Sequence, residues 1–184
     1  MKLVVAVGGA SGAIYAQRFL GALGRLNVPD LEVALCMSDA GREVWQHEIG
    51  AEPNLPFRRW GQKDFRAPFA SGSAGWDAMV VIPCSTGGLA RIAHGTSDDL
   101  IGRAADVMLK ERRKLVLVLR ETPLSLVHLE NMLAVTRAGA IVLPASPAFY
   151  SKPATVEALL DTVVGRVLDQ IGLPHSLAPR WGQE

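Results

Sequence analysis

Hydrophobic and polar positions fall into blocks along this chain, and the period of the blocks alternates. Leu3 to Val7 is an unbroken apolar run, and Ile14, Phe19, Leu20, Leu23 and Leu26 then recur near helical spacing. The run "LEVALCM" predicts a second strand, and Ser38 is placed to cap a helix over "DAGREVWQHEI". "DAMVVIP", "KLVLVL" and "AIVLP" predict three more strands. Helical patterns follow each of these: a short one in "CSTGGLARIAHG", a longer one in "DLIGRAADVMLKERR" capped by Ser97 or Asp98, then "LSLVHLENMLAVTRAG" and "TVEALLDTVVGRVLDQIG". Residues 50 to 75 carry Pro53, Pro56, Gly61, Pro68, Gly72 and Gly75 and read as a long irregular loop, of the kind that is usually functional or mobile.

Regular strand–helix alternation implies βαβ units, hence an α/β fold with a parallel sheet covered by helices on both faces. Strands that are apolar throughout agree, because a parallel sheet is buried on both sides. At 184 residues the chain suits one domain with a sizeable core. A formal charge of +1 argues against a broad basic surface for nucleic acid. Cys36 and Cys84 both sit in apolar runs, which offers no disulfide framework and fits a cytoplasmic protein. The opening "MKLVVAVGGASGA" breaks into glycines too early for a signal sequence or a membrane span.

In such sheets ligands bind outside the carboxyl ends of the strands. The segments to inspect are therefore "GGASGA", "SDAG", "PCSTGG", "RETP" and "PASPAFY". "GGASGA" is not a full G-x-G-x-x-G fingerprint, and no P-loop lysine follows it. It is either a phosphate turn at a helix start, suited to FMN more than NAD, or a tight turn needing glycine for its backbone angles alone. In "PCSTGG", Ser85 and Thr86 are either ligand contacts or a plain helix cap, and Cys84 fits a small buried thiol better than a nucleophile. Arg103 and Lys110 lie two turns apart on one helix. Arg120 and Glu121, adjacent on extended chain, should point to opposite sides at the mouth of a central strand. His47, His94, His128 and His175 show no metal-ligand spacing.

The segments "GASGAIY", "PCSTGGL", "RAADVMLKERRKLVLVLRETPLSLVHLENML", "GAIVLPASPAFYSKP" and "PRWG" together resemble the UbiX-type flavin prenyltransferases, formerly described as 3-octaprenyl-4-hydroxybenzoate carboxy-lyases. The resemblance covers nearly the whole chain, in order. It implies a Rossmann-like (flavodoxin-like) doubly wound sheet and a single flavoprotein domain over residues 1–184. It also implies metal-independent transfer of a dimethylallyl group from dimethylallyl phosphate to N5 and C6 of reduced FMN. The product, prenylated FMN, would serve a UbiD-type decarboxylase, and the enzyme would assemble as a trimer-based dodecamer.

By the same resemblance Gly9, Ala10, Ser11, Ser38, Cys84, Ser85, Thr86, Gly87 and Arg120 would hold the flavin. Arg103, Lys110, Arg120, Tyr150 and Arg166 would hold the prenyl phosphate, some across subunits, with Phe65 and Trp181 offering π faces. Glu48, Glu121, Lys110 and Ser11 would be catalytic, with Glu48 moving a proton near the flavin and Glu121 assisting the departing phosphate. Three positions depart from the family pattern: Phe65 for a tryptophan, Gly88 for a threonine and Asp99 for an asparagine.

Two other classes are weighed against this one. A flavin-dependent cysteine decarboxylase would be expected to show a Pro-Ala-Met-Asn type segment and an early catalytic histidine, and "RETP" argues against it. A non-catalytic flavin carrier would leave the joint presence of Lys110, Glu121, Tyr150 and Arg166 unexplained.

Overall fold

A computed structural model describes residues 1–50, 56–180 and 182. Six parallel strands form one sheet: β1 Lys2–Val7, β2 Glu32–Met37, β3 Arg58–Trp60, β4 Ala78–Cys84, β5 Lys114–Leu119 and β6 Ile141–Pro144. Their order is β3-β2-β1-β4-β5-β6, the doubly wound Rossmann order. Six helices alternate with them: α1 Ala13–Arg25, α2 Asp39–Glu48, α3 Thr86–Ala93, α4 Leu100–Lys110, α5 Leu126–Ala138 and α6 Val156–Ile171.

Alternate residues of each strand feed two separate cores. Leu3, Val5 and Val7 pack with Phe19 and Leu20 of α1, Trp45 of α2 and Val164 and Leu168 of α6. Val4 and Ala6 face the other way, toward Leu89 of α3, Leu100, Ala104 and Met108 of α4 and Val135 of α5. Five consecutive residues of β1 are fully buried, as a strand covered on both faces must be.

The loop expected over residues 50–75 is more ordered than its prolines and glycines suggest. It holds the sixth strand, β3, and two short 3-10 turns at Pro68–Ala70 and Gly72–Ala74. The sequence hides β3 because it is an edge strand of two arginines and a tryptophan, with no apolar run. Trp60, Phe69 and Trp76 stack edge to face beneath it, with Phe69 6.0 Å from Trp60 and 5.3 Å from Trp76. Arg58 lies 4.1 Å over the Trp60 ring.

Helices α1 and α6 share one face and are clamped by charge as well as packing. Arg18 donates from Nε and Nη2 to the two carboxylate oxygens of Asp161, each at 2.6 Å. Asp161 is almost entirely buried, so its carboxylate depends on this fork. The Asp161→Asn variant is expected to lose about 2 kcal/mol of stability, the worth of a charged hydrogen-bonded contact. Urea unfolding should show this as a lower midpoint with an unchanged slope.

Candidate functional site

Parallel strands bring every strand's carboxyl end and every following helix's amino end to one edge. Four backbone bonds stitch that edge together beyond the strand ends. Ser38 N–H donates to Val7 O at 3.0 Å, Gly8 N–H to Pro83 O at 3.0 Å, Arg120 N–H to Cys84 O at 3.1 Å and Ala145 N–H to Leu119 O at 2.8 Å. Residues from five segments of sequence are thereby held side by side.

A hollow of about 300 Å³ opens here, lined by Gly8, Gly9, Ser38, Cys84, Ser85 and Gly88 among others. The amino ends of three helices meet in it. Ser38 Oγ accepts from Gly41 N–H at 2.9 Å, Ser85 Oγ from Gly88 N–H at 3.1 Å, and Asp99 Oδ1 from Gly102 N–H at 2.8 Å. Ser38 therefore caps α2 as expected, whereas the cap of α4 is Asp99 and neither Ser97 nor Asp98. Gln62 joins two of these helices: its Nε2 donates to Asp99 Oδ2 at 2.7 Å and its Oε1 accepts from Asp39 N–H at 2.8 Å. The floor is bare backbone. A Cβ on Gly8 would lie 2.7 Å from Pro83 O, and one on Gly9 would lie 2.6 Å from Ala40 Cβ. A larger hollow of about 830 Å³ lies beside α2 and β3, between Trp45 and Trp60, and none of the candidate flavin, prenyl-phosphate or catalytic residues lines it.

The "GGASGA" turn is not the anion site its glycines suggest. Gly12 leads into α1 at φ 107° without a side-chain cap of its own. Instead the Glu48 carboxylate, at the end of α2, accepts from Gly12 N–H at 3.0 Å and from Ala13 N–H at 2.8 Å. Ser11 bonds the same carboxylate through its hydroxyl. Burial raises the Glu48 carboxyl, but the Ser11, Gly12 and Ala13 bonds and the Arg120 charge outweigh it and hold the group below its ordinary value. Ser11 and Glu48 thus form one hydrogen-bonded unit at the rim, beside Arg120.

Arg120 and Glu121 do point apart. Arg120 runs toward Gly12 and Tyr15: its Cγ would lie 3.8 Å from a Cβ on Gly12. Burial raises the Tyr15 phenol, and the Arg120 charge acts against that shift. Arg120 Nε is buried without a hydrogen-bond partner among the described residues. Glu121 turns to α3, where Oε2 accepts from Thr86 Oγ1 at 3.5 Å and Oε1 from Thr122 N–H at 2.9 Å. Cys84 is fully buried, and burial pushes its thiol up to about 12, so it is no thiolate nucleophile at neutral pH.

Other candidates are not gathered at this edge by one chain. Arg103, near the start of α4, donates to Ala70 O at 3.0 Å and to Asp106 at 2.8 Å. Lys110 ends α4 and pairs with Glu111, roughly 15 Å down the helix from Leu100. Arg166 is as far along α6 from Val156, roughly 15 Å, and on the opposite face of the sheet. Arg166, Arg180 and the buried His175 all bond the Asp169 carboxylate, at 2.8, 2.9 and 3.1 Å, which ties the chain after α6 to that helix. Phe65 and Tyr150 are exposed, and Trp181 lies outside the described residues. Gln62, Arg91 and Asp99 line the hollow and were not among the expected site residues; a turn of helix separates Arg91 from Gly88, which is the spacing that could have revealed it.

Residues 1–168 match the family model described as Flavoprotein. The flavin prenyltransferase UbiX of Methanothermobacter thermautotrophicus is 46% identical over 97% of this chain and 94% of its own length. The chain belongs to the UbiX-type flavin prenyltransferases. Two solved structures of that type superpose closely. The crystal structure of AnUbiX (PadA1) in complex with FMN and dimethylallyl pyrophosphate has a TM-score of 0.93 and 47% identity, over 98% of this chain and 97% of that one. The dodecameric FMN-dependent UbiX-like decarboxylase of Escherichia coli O157:H7 has a TM-score of 0.93 and 46% identity, over 98% and 99%.

In this flavin prenyltransferase the depressed Glu48 carboxyl makes stability depend on pH. Its stabilising bond to α1 is fully present above the usual glutamate value of about 4.3 and is lost as pH falls through the lower folded value. Glu48→Gln is therefore expected to be less stable than the parent at pH 7 and to converge with it in acid. Urea midpoints across that range measure this, and an equal deficit at every pH would contradict it.

Proposed function

We propose that this chain transfers a dimethylallyl group from dimethylallyl phosphate to N5 and C6 of reduced FMN, making prenylated FMN for a UbiD-type decarboxylase in the cytoplasm. The observation that carries the reading is the Ser11–Glu48 unit set beside Arg120, with Glu121 turned the other way to Thr86, in a chain alike along its length to flavin prenyltransferases. The residues present fit FMN: helix amino ends suit its phosphate, the glycine floor admits a close approach, and the orphaned Arg120 Nε lacks a partner that a flavin oxygen or phosphate would supply. Reduced FMN, when bound, supplies the nucleophilic positions that take the prenyl group.

The side chains then divide the work. Gly9, Ala10, Ser11, Ser38, Ser85, Thr86 and Gly87, with the Cys84 backbone, hold the flavin, and Arg120 spans it and the prenyl phosphate. Arg103, Lys110, Tyr150 and Arg166 stabilise charge gathering on the departing phosphate oxygens. Glu121 delivers a proton to that phosphate, and Glu48 with Ser11 handles a proton at the flavin. Phe65 and Trp181 offer π faces to the allylic cation and exclude water.

This division requires neighbouring copies, since Lys110 and Arg166 lie on opposite faces of one chain's sheet. The surface supports assembly. Leu126, Val127, Leu129 and Leu133 of α5 are exposed in the single chain, as are Phe149 and Tyr150, which is an apolar belt too large to leave in water. A trimer-based dodecamer covers it and brings those side chains to each crevice.

Anaerobic incubation with reduced FMN and dimethylallyl phosphate should add a five-carbon unit to the flavin, read by mass spectrometry; bound FMN with no adduct would favour a carrier. Glu121→Gln should bind FMN as before and lose about 100-fold in turnover, the scale of general acid catalysis. Lys110→Met should raise KM for dimethylallyl phosphate while leaving FMN affinity unchanged, and the reverse ranking would remove its phosphate role.

A further inference from the structure

Among the described residues, the hollow at the three helix amino ends is lined by one cationic side chain. Arg91, on the second turn of α3's eight residues, lines it together with Asp39 and Asp99. The guanidinium reaches back along the helix, so that a Cβ on Gly87 would lie 3.9 Å from Arg91 Nη1. It is close enough to the fully buried Cys84 for its charge to act on that thiol. Gly87 and Gly88 carry no side chains, which leaves the guanidinium a clear path into the hollow.

The Arg91 carbonyl accepts from Thr96 N–H, but its partly exposed guanidinium has no hydrogen bond or ion pair among the described residues. The carboxylates nearby do not claim it. Asp99 already accepts from Gly102 N–H and from Gln62 Nε2, and Asp39 stands at the exposed rim. An anion entering this hollow meets helix amino ends that attract it and two carboxylates that repel it. Gly88 adds no hydroxyl to that balance. Arg91 is the group that turns the balance toward an anion, and its planar fork suits phosphate oxygens.

We propose that Arg91 is a phosphate-binding residue of the flavin site and makes this chain select FMN over riboflavin. The assignment deepens the flavin reading above and rests on it. Arg91 contacts the phosphate and takes no part in prenyl transfer.

The test titrates the full-length, flavin-stripped protein with FMN and with riboflavin, following flavin fluorescence, for the parent, Arg91→Met and Arg91→Lys. The parent should prefer FMN. Arg91→Met should weaken FMN about 10-fold, leave riboflavin affinity unchanged and flatten the salt dependence of FMN binding. Arg91→Lys should recover part of the loss. Equal FMN affinity in parent and Arg91→Met overturns the assignment alone. A parallel loss of both flavins also overturns it, because packing and not phosphate would then be the cause. A parent that binds neither flavin overturns the flavin reading itself, and this assignment with it.

Discussion

Everything at the functional edge depends on the point where the sheet changes its direction of winding, between β1 and β4. The chain builds outward from β1 to β3, returns across the sheet to β4, and builds outward again to β6. Helices therefore leave β1 and β4 on opposite faces, and a cleft must open between their amino ends. The backbone bonds from Gly8 to Pro83 and from Ser38 to Val7 fix the width of that cleft. Side chains decorate it, but the parallel ladder sets where they stand.

Within the cleft, charge is sorted by which helix end is already satisfied. Glu48 takes the amino end of α1, so that turn has little left to offer an anion. The amino ends of α2, α3 and α4 are capped by Ser38, Ser85 and Asp99, and each cap satisfies one N–H of a first turn that has several without an intrahelical partner. A carboxylate with its proton held off thus sits at the start of α1, while the remaining helix dipoles converge on the hollow.

Much of this was legible from residue pattern. Uninterrupted apolar runs disclose five of the strands, because burial on both faces leaves polar residues no place. Ser38 declares its cap, and the break from Leu119 to Arg120 marks the strand mouth. What could not be read depends on partners distant in sequence. Glu48 lies 36 positions from the Gly12 N–H it occupies, so "GGASGA" alone leaves phosphate and turn equally open. β3 is held by pairing with β2 and by an aromatic stack, neither of which leaves a period in three residues. Ser97, Asp98 and Asp99 all have cap chemistry, and only the path of the chain selects the third. Lys110 and Arg166 fall on opposite faces of the sheet, a separation that spacing within one helix cannot disclose.

The glycine floor has a consequence for how such a site can change over generations. A methyl group added at Gly9 would strike Ala40, and one added at Gly41 would lie 2.5 Å from Val7 O. Selection has no small step available there, since the smallest possible alteration closes the cleft. The walls are different: Phe65 is exposed, Gly88 has room beside Ser85, and Asp99 keeps its cap with either an acid or an amide. Substitution is easier at the rim than at the bottom of the cleft, which is made of main chain that a new side chain cannot rewrite.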